Sequence, residues 1–239
     1  MKTIGLIGGM SWESTAVYYR QINEIVRRRH GGLASAEILL RSLDFSRIVA
    51  LQQAGRWDQA ADTLAQIGLQ LAEAGAECVL ICTNTMHKVA DAVEVKAGVP
   101  LIHIADVVGH ALKDAGAKRP LLLATRYTME QDFYRARLAE RFGIDAMVPA
   151  ADDRGLVHDV IFNELCCGVV RPQSRQAYQD VIERGRQAGA DAVILGCTEI
   201  GLLIGPEHTG LPVFDSTLLH AEAAVDFAEG QPERMQRVA

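Results

Sequence analysis

Two apolar runs of strand character, Cys78-Val-Leu-Ile-Cys82-Thr-Asn-Thr-Met-His87 and Ala192-Val-Ile-Leu-Gly-Cys197-Thr-Glu199, end in Cys-Thr and then turn polar. In parallel α/β sheets the residues just past the carboxyl ends of the strands face the ligand crevice. Cys82 and Cys197 would each stand where a strand hands over to a helix, where N–H groups and the helix dipole favour a thiolate. A free thiol starts near pKa ~8.5, so a modest depression makes it a base at neutral pH. One such cysteine is more often a small buried residue. Two at corresponding points suggest opposed thiols around one cavity. That arrangement suits inversion of a carbon acid: one thiolate removes a proton from one face of a stereocentre and the other thiol delivers one to the opposite face. The two would titrate as a pair.

Beside the thiols stand small hydroxyls and an amide, Thr83, Asn84, Thr85 and Thr198. With neighbouring N–H groups they can hold a carboxylate and stabilise enolate-like charge; the same residue types are ordinary helix N-caps. The loop Gly8-Gly-Met-Ser-Trp-Glu-Ser-Thr15 matches neither the Walker pattern nor G-x-G-x-x-G, yet can serve as an anion-cradling strand-to-helix turn. Thr125-Arg-Tyr-Thr128 follows the corresponding strand of the second half.

The elements that must carry these groups alternate between strand and helix. Strands are expected at Lys2–Ile7, Ala36–Leu40, Cys78–Ile81 and Leu101–Ile104. Helices are expected over Ser11–Arg29, Gln59–Glu73, Met86–Lys96 and Val107–Lys113. Such alternation predicts parallel βαβ units. The second half repeats the first in order: Lys118–Thr125 mirrors Lys2–Gly9, Gln187–Cys197 mirrors Glu73–Cys82, and Gly210–Asp215 mirrors Gly98–His103. The expected fold is therefore α/β, with two pseudo-symmetric parallel-sheet domains and the active site in the cleft between them. One lobe would take residues 1–104 plus 211–239 and the other 105–210, with a final helix over His220–Ala228 packing back on the first copy.

Composition bounds the function. The 239 residues are 49% apolar and 23% charged, with a net charge of −6 and scattered basic residues, so there is no footprint for nucleic acid. Arg27-Arg-Arg-His30 reads as the basic end of a helix. No run reaches the ~18–20 apolar residues needed to cross a bilayer, and the first residues do not resemble a signal peptide. Five cysteines without a regular framework fit a reducing, cytoplasmic setting.

Taken in order, Gly8-Gly-Met-Ser11, Cys82-Thr-Asn-Thr85, Thr125 with Thr128, and Gly196-Cys-Thr-Glu199 resemble the aspartate/glutamate racemase family. Gly9–Thr15 and Cys82–Val89 are similar to its broad-specificity amino-acid racemase branch, and the resemblance runs to about Phe227. It implies a cofactor-independent, PLP-independent racemase and a homodimer acting on a small-molecule amino-acid substrate. Cys82 and Cys197 would be the acid/base pair, with Met10, Gln52, Thr83, Asn84, Thr85, Thr125, Thr128 and Thr198 around the substrate; by spacing alone Gln52 is as readily an exposed loop amide. Glu199 stands where glutamate racemases carry a histidine, so any assistance to the second thiol would come from it. Met10-Ser11 replaces the Asp-Ser of glutamate racemases. Leu43-Asp-Phe-Ser-Arg47-Ile48 does not match the Ile-Pro-Asp-Arg-Thr of aspartate racemases, and a family lysine falls at about Cys167. Losing these cations favours a neutral amino acid, because an unpaired carboxylate is costly to bury. The alternatives are an aspartate or glutamate racemase, a related carbon-acid isomerase or decarboxylase, and a non-catalytic amino-acid-binding module.

The other candidates are weaker. Cys78 and Cys82 have no histidine spaced to complete a zinc site, so no metal is expected. Cys166 and Cys167 read as packing residues, and His103, His110, His158 and His220 as surface or satisfied core groups. His87, one helical turn past Cys82, is the histidine placed to assist a thiol.

Overall fold

The computed structural model describes residues 1–231. The chain divides into two units, Met1–His103 with the chain from His220, and Ile104–Leu219.

The first unit is built on β1 (Ile4–Gly8), every residue of which is buried. Parallel strands β2 (Ile38–Ser42) and β3 (Cys78–Ile81) flank it, with Leu6 opposite both Leu40 and Leu80. A central parallel strand covered on both faces must be apolar throughout, which is why Ile4–Gly8 and Cys78–Ile81 are legible as runs. Helix α1 (Trp12–His30) follows β1 and is capped by Ser11, whose hydroxyl accepts from Ser14 N. Helices α2 (Phe45–Gln53) and α3 (Trp57–Glu73) join β2 to β3, and α4 (Ala90–Ala97) ends at Gly98 in the left-handed conformation. The expected helix from Met86 is in fact a tight 3₁₀ turn, Thr85–Val89, followed by α4. The fourth strand expected at Leu101–Ile104 shrinks to one parallel bridge, Val79 to Leu101. Pro100 offers no N–H to a ladder, and α5 (Ile104–Asp114) already begins at Ile104.

The second unit repeats this order. Strand β4 (Pro120–Ala124) is followed by α6 (Arg126–Glu130), α7 (Asp132–Phe142), α8 (Ala151–Asn163) and α9 (Pro172–Gln187), then β5 (Ala192–Gly196) and β6 (Val213–Asp215). The sheet runs β4-β5-β6, all parallel, and a bridge from Leu121 to Met147 adds a further neighbour to β4. β4 thus corresponds to β1, β5 to β3, and β6 to the Leu101 bridge. Because Val213–Asp215 pairs with β5, residues 211–219 belong with the second sheet, later than the boundary expected near 210. The part of the expected first lobe beyond Gln231 lies outside the described residues.

Helix α10 (Ser216–Ala228) closes the described chain. Its later part docks on the first unit: Lys2 N donates to Ala228 O at 2.8 Å, and Arg29 pairs with Asp226 at 2.7 Å and Glu229 at 2.8 Å. The basic end of α1 is thus an attachment point as well as a dipole complement. No helix among the described residues is long and apolar enough to cross a membrane.

Candidate active site

In the first unit, Cys82 follows β3 directly, and its N–H donates to the Ile7 carbonyl at 3.0 Å. That bond ties the thiol's backbone to the central strand. The β1–α1 loop is held close by Gly9, whose φ is +84° and where a Cβ would sit 2.2 Å from the Leu43 carbonyl oxygen. Gly9 N donates to Thr15 Oγ1 at 2.7 Å, which sets the loop against α1 and buries Met10. Met10, Ile48 and Met86 belong to one apolar cluster. Gln52 lies on α2, not in a loop; it is buried and donates from Nε2 to Met86 Sδ at 3.1 Å. Met10, Gln52 and the Cys82–Met86 segment are therefore brought together within this unit, with Asn84 and Thr85 buried and Thr83 partly so.

His87 donates from Nδ1 to the Thr83 carbonyl at 2.8 Å and so braces the turn after Cys82. Its ring packs 4.8 Å from His103 and 5.5 Å from His220, centroid to centroid. His220 Nε2 donates to Ile102 O at 2.7 Å, leaving Nδ1 to accept from the Tyr18 hydroxyl at 2.7 Å. Burial, reinforced by His87, pulls the His220 pKa down to about 3. Each histidine alone is an ordinary core or surface residue by sequence; only the packing of separate segments makes them a group.

In the second unit, Cys197 follows β5 at the equivalent point. Its thiol donates to Glu199 Oε2 at 3.0 Å, and the Thr198 hydroxyl donates to the same oxygen at 2.6 Å. The other oxygen, Oε1, accepts from Cys166 Sγ at 3.6 Å. Glu199 is buried. Thr125 precedes α6, with its hydroxyl 3.3 Å from that of Thr128, and both are buried. The Cys166 interaction has no signal in the sequence, since it joins residues 33 apart through the turn Leu165–Cys167. Cys167 is exposed and bonds to the Phe162 carbonyl.

The thiols do not carry the lowered pKa expected of them. Burial pushes the Cys82 thiol up, and burial together with the Glu199 carboxylate pushes Cys197 well up. The helices after the two cysteines are only short 3₁₀ turns, Thr85–Val89 and Ile200–Leu202, so few peptide dipoles align to offset desolvation. Both rest as neutral thiols, and they differ. Cys197 has a carboxylate acceptor; among the described residues Cys82 has none. No group of three His, Cys, Asp or Glu among the described residues is placed to hold a metal ion.

Residues 7–224 match the model of the Asp/Glu/hydantoin racemase family. The structure superposes on a candidate Asp/Glu racemase from Yersinia pestis with a TM-score of 0.89 and 50% identity, covering 96% of this chain and all of that one. The broad specificity amino-acid racemase RacX of Bacillus subtilis is 20% identical over 93% of this chain and 96% of its own. A glutamate racemase of Pseudomonas putida is 30% identical over 64% of this chain, and the match spans 56% of that protein. With the family model matched across both sheets and both Cys-Thr strand ends, the chain belongs to the Asp/Glu/hydantoin racemase family.

Proposed function

We propose that this protein is a cofactor-independent racemase of neutral amino acids, of broad specificity, using Cys82 and Cys197 on opposite faces of Cα. The observation that carries this reading is the placement of a Cys-Thr at the same point of two sheets with the same strand order. In the cycle, one cysteine as thiolate takes the Cα proton, leaving the electron pair delocalised into the substrate carboxylate. The other cysteine, as thiol, donates its proton to the opposite face. The acid and base are exchanged at the end, and the reverse reaction uses them in swapped roles.

Both thiols are protonated in the resting protein, so a first deprotonation is needed. For Cys197 the acceptor is at hand in Glu199 Oε2. For Cys82 the proton is released to solvent as substrate enters, and the substrate ammonium supplies the positive charge that burial otherwise denies to the thiolate left behind. Thr83, Asn84, Thr85, Thr125, Thr128 and Thr198 would hold the carboxylate and amine. Neutral substrates follow from the residues collected with Cys82: Met10, Gln52, Thr83, Asn84 and Thr85 include no cation to pair with a side-chain carboxylate. A homodimer in the cytoplasm completes the proposal.

The second reading is an acidic-amino-acid racemase, favoured by the 50% identity to the Yersinia protein and its description. One experiment separates them: a panel of L-amino acids, Asp and Glu included, incubated with the protein in D₂O and followed by Cα deuterium uptake and polarimetry. Exchange with inversion on neutral amino acids supports the proposal. Exchange confined to Asp or Glu replaces it with the second reading, and inversion without deuterium uptake ends the two-thiol mechanism.

A further inference from the structure

We propose that a cavity at the carboxyl end of β2 is a second ligand site that takes an organic phosphate monoester. The cavity holds about 440 Å³ and is lined by Arg41, Arg47 and Arg56, with Leu43 and Leu51 among its apolar walls. None of Met10, Gln52, Cys82, Thr83, Asn84 or Thr85 lines it.

The three arginines come from three elements of the first unit: Arg41 from β2, Arg47 from α2, and Arg56 from the residue before α3. Neither Arg41 nor Arg56 has an ion pair among the described residues; the hydrogen bond Arg41 makes runs from Nη1 to the Ser42 carbonyl at 3.2 Å. Asp44 is the one carboxylate on the lining. Its Oδ1 is taken by Ser46, from N at 3.0 Å and from Oγ at 2.7 Å, and its Oδ2 lies 3.9 Å from Arg47 Nε. Three exposed arginines from three elements thus border one cavity whose lining holds a single carboxylate, in a chain whose net charge is −6.

Positive charge gathered around one cavity raises the local concentration of anions there. Guanidinium forks match the oxygens of phosphate and carboxylate alike. A phosphate monoester brings ~1.5 to 2 negative charges and three free oxygens, enough for three forks, whereas a carboxylate brings one charge and two oxygens. The leucine walls suit an organic substituent over bare inorganic phosphate. The volume falls in the range of small-molecule sites, roughly 300–1,000 Å³.

The test is calorimetric titration of the full-length protein at low salt with phenyl phosphate, with inorganic phosphate and benzoate as controls. Phenyl phosphate is expected to bind once per chain, at least about tenfold more tightly than either control, and more weakly as salt rises. The double variant R47A/R56A is expected to lose about tenfold or more in affinity while racemase turnover without the probe is unchanged. The variant R47K/R56K keeps the charge but not the forks and should fall between. No binding, benzoate binding as tightly as phenyl phosphate, or unaltered affinity in R47A/R56A overturns the proposal, whatever the substrate of the cysteines.

Discussion

The Cys197 thiol points its proton at Glu199, Sγ to Oε2 3.0 Å, and the same carboxylate reaches Cys166 through its other oxygen. A carboxylate so placed opposes the thiolate by charge and offers a proton acceptor by geometry. Glu199→Gln removes both influences. The Cys197 pKa is expected to fall while the maximal racemisation rate drops, by about 10²-fold. Enantiomers have equal free energy, so kcat/KM must fall equally in the two directions. The asymmetry should show as unequal primary deuterium isotope effects on the L and D substrates, measured across a pH profile. An unchanged kcat in E199Q would remove Glu199 from the reaction.

Cys82→Ser and Cys197→Ser should each reduce racemisation by about 10³-fold or more, within the range assigned to a general acid or base. Partial reactions carry the sharper information. With one thiol left, exchange at Cα can proceed with retention, so each variant should wash deuterium into one enantiomer only, and the two variants into opposite enantiomers. NMR of Cα–H loss from pure L and pure D substrate measures this. Both variants exchanging the same enantiomer would place the thiols on one face.

Stability should fall on both sides of neutrality for identifiable reasons. His220 is held to about 3 by burial, whereas in the unfolded chain it takes a proton near pH ~6.5. The unfolded state therefore binds more protons below pH ~6.5, and stability is lost progressively as pH falls toward 3. Cys78 is pushed up to about 12 by burial, and Cys82 and Cys197 also rise. Their unfolded thiols ionise near pH ~8.5, so stability also declines as pH rises above that value. Urea unfolding as a function of pH should show a plateau between these limbs, and His220→Gln should flatten the acid limb. An acid limb of unchanged slope in that variant would assign it to other groups.

Gly9→Ala should disturb the site from a distance of one residue. The new Cβ would meet the Leu43 backbone at 2.2 Å in a left-handed conformation, which costs a side chain on the order of 1–3 kcal/mol before the clash is relieved. Denaturant unfolding should report the loss, and Met10 fluorination with ¹⁹F NMR should report displacement of the loop. Native stability with an unmoved Met10 signal would contradict the close approach.

The order of elements and the two Cys-Thr strand ends are open to reading because buried parallel strands are unbroken apolar runs and a duplication repeats them in register. Ile4–Gly8, Cys78–Ile81 and Ala192–Gly196 stand out for that reason. Leu101 reads as a strand by composition, yet the start of α5 at Ile104 leaves room for a single bridge. Gln52 is as readily a loop amide as a site residue by spacing, since an amide on a nine-residue helix carries no pattern of its own; its burial against Met86 comes from packing.

The sequence by itself determined the parallel α/β architecture, its duplication and the cysteines at matching strand ends, because each rests on local apolar periodicity and chain order. Only the tertiary structure decided the protonation of those cysteines, since desolvation depends on what other segments pack over a thiol. It also decided that Glu199 holds Cys197 and Cys166 together, that Tyr18, His87, His103 and His220 form one group, and that three arginines from different elements line one cavity. Such relationships join residues distant along the chain, where spacing carries no signal and distance decides the chemistry.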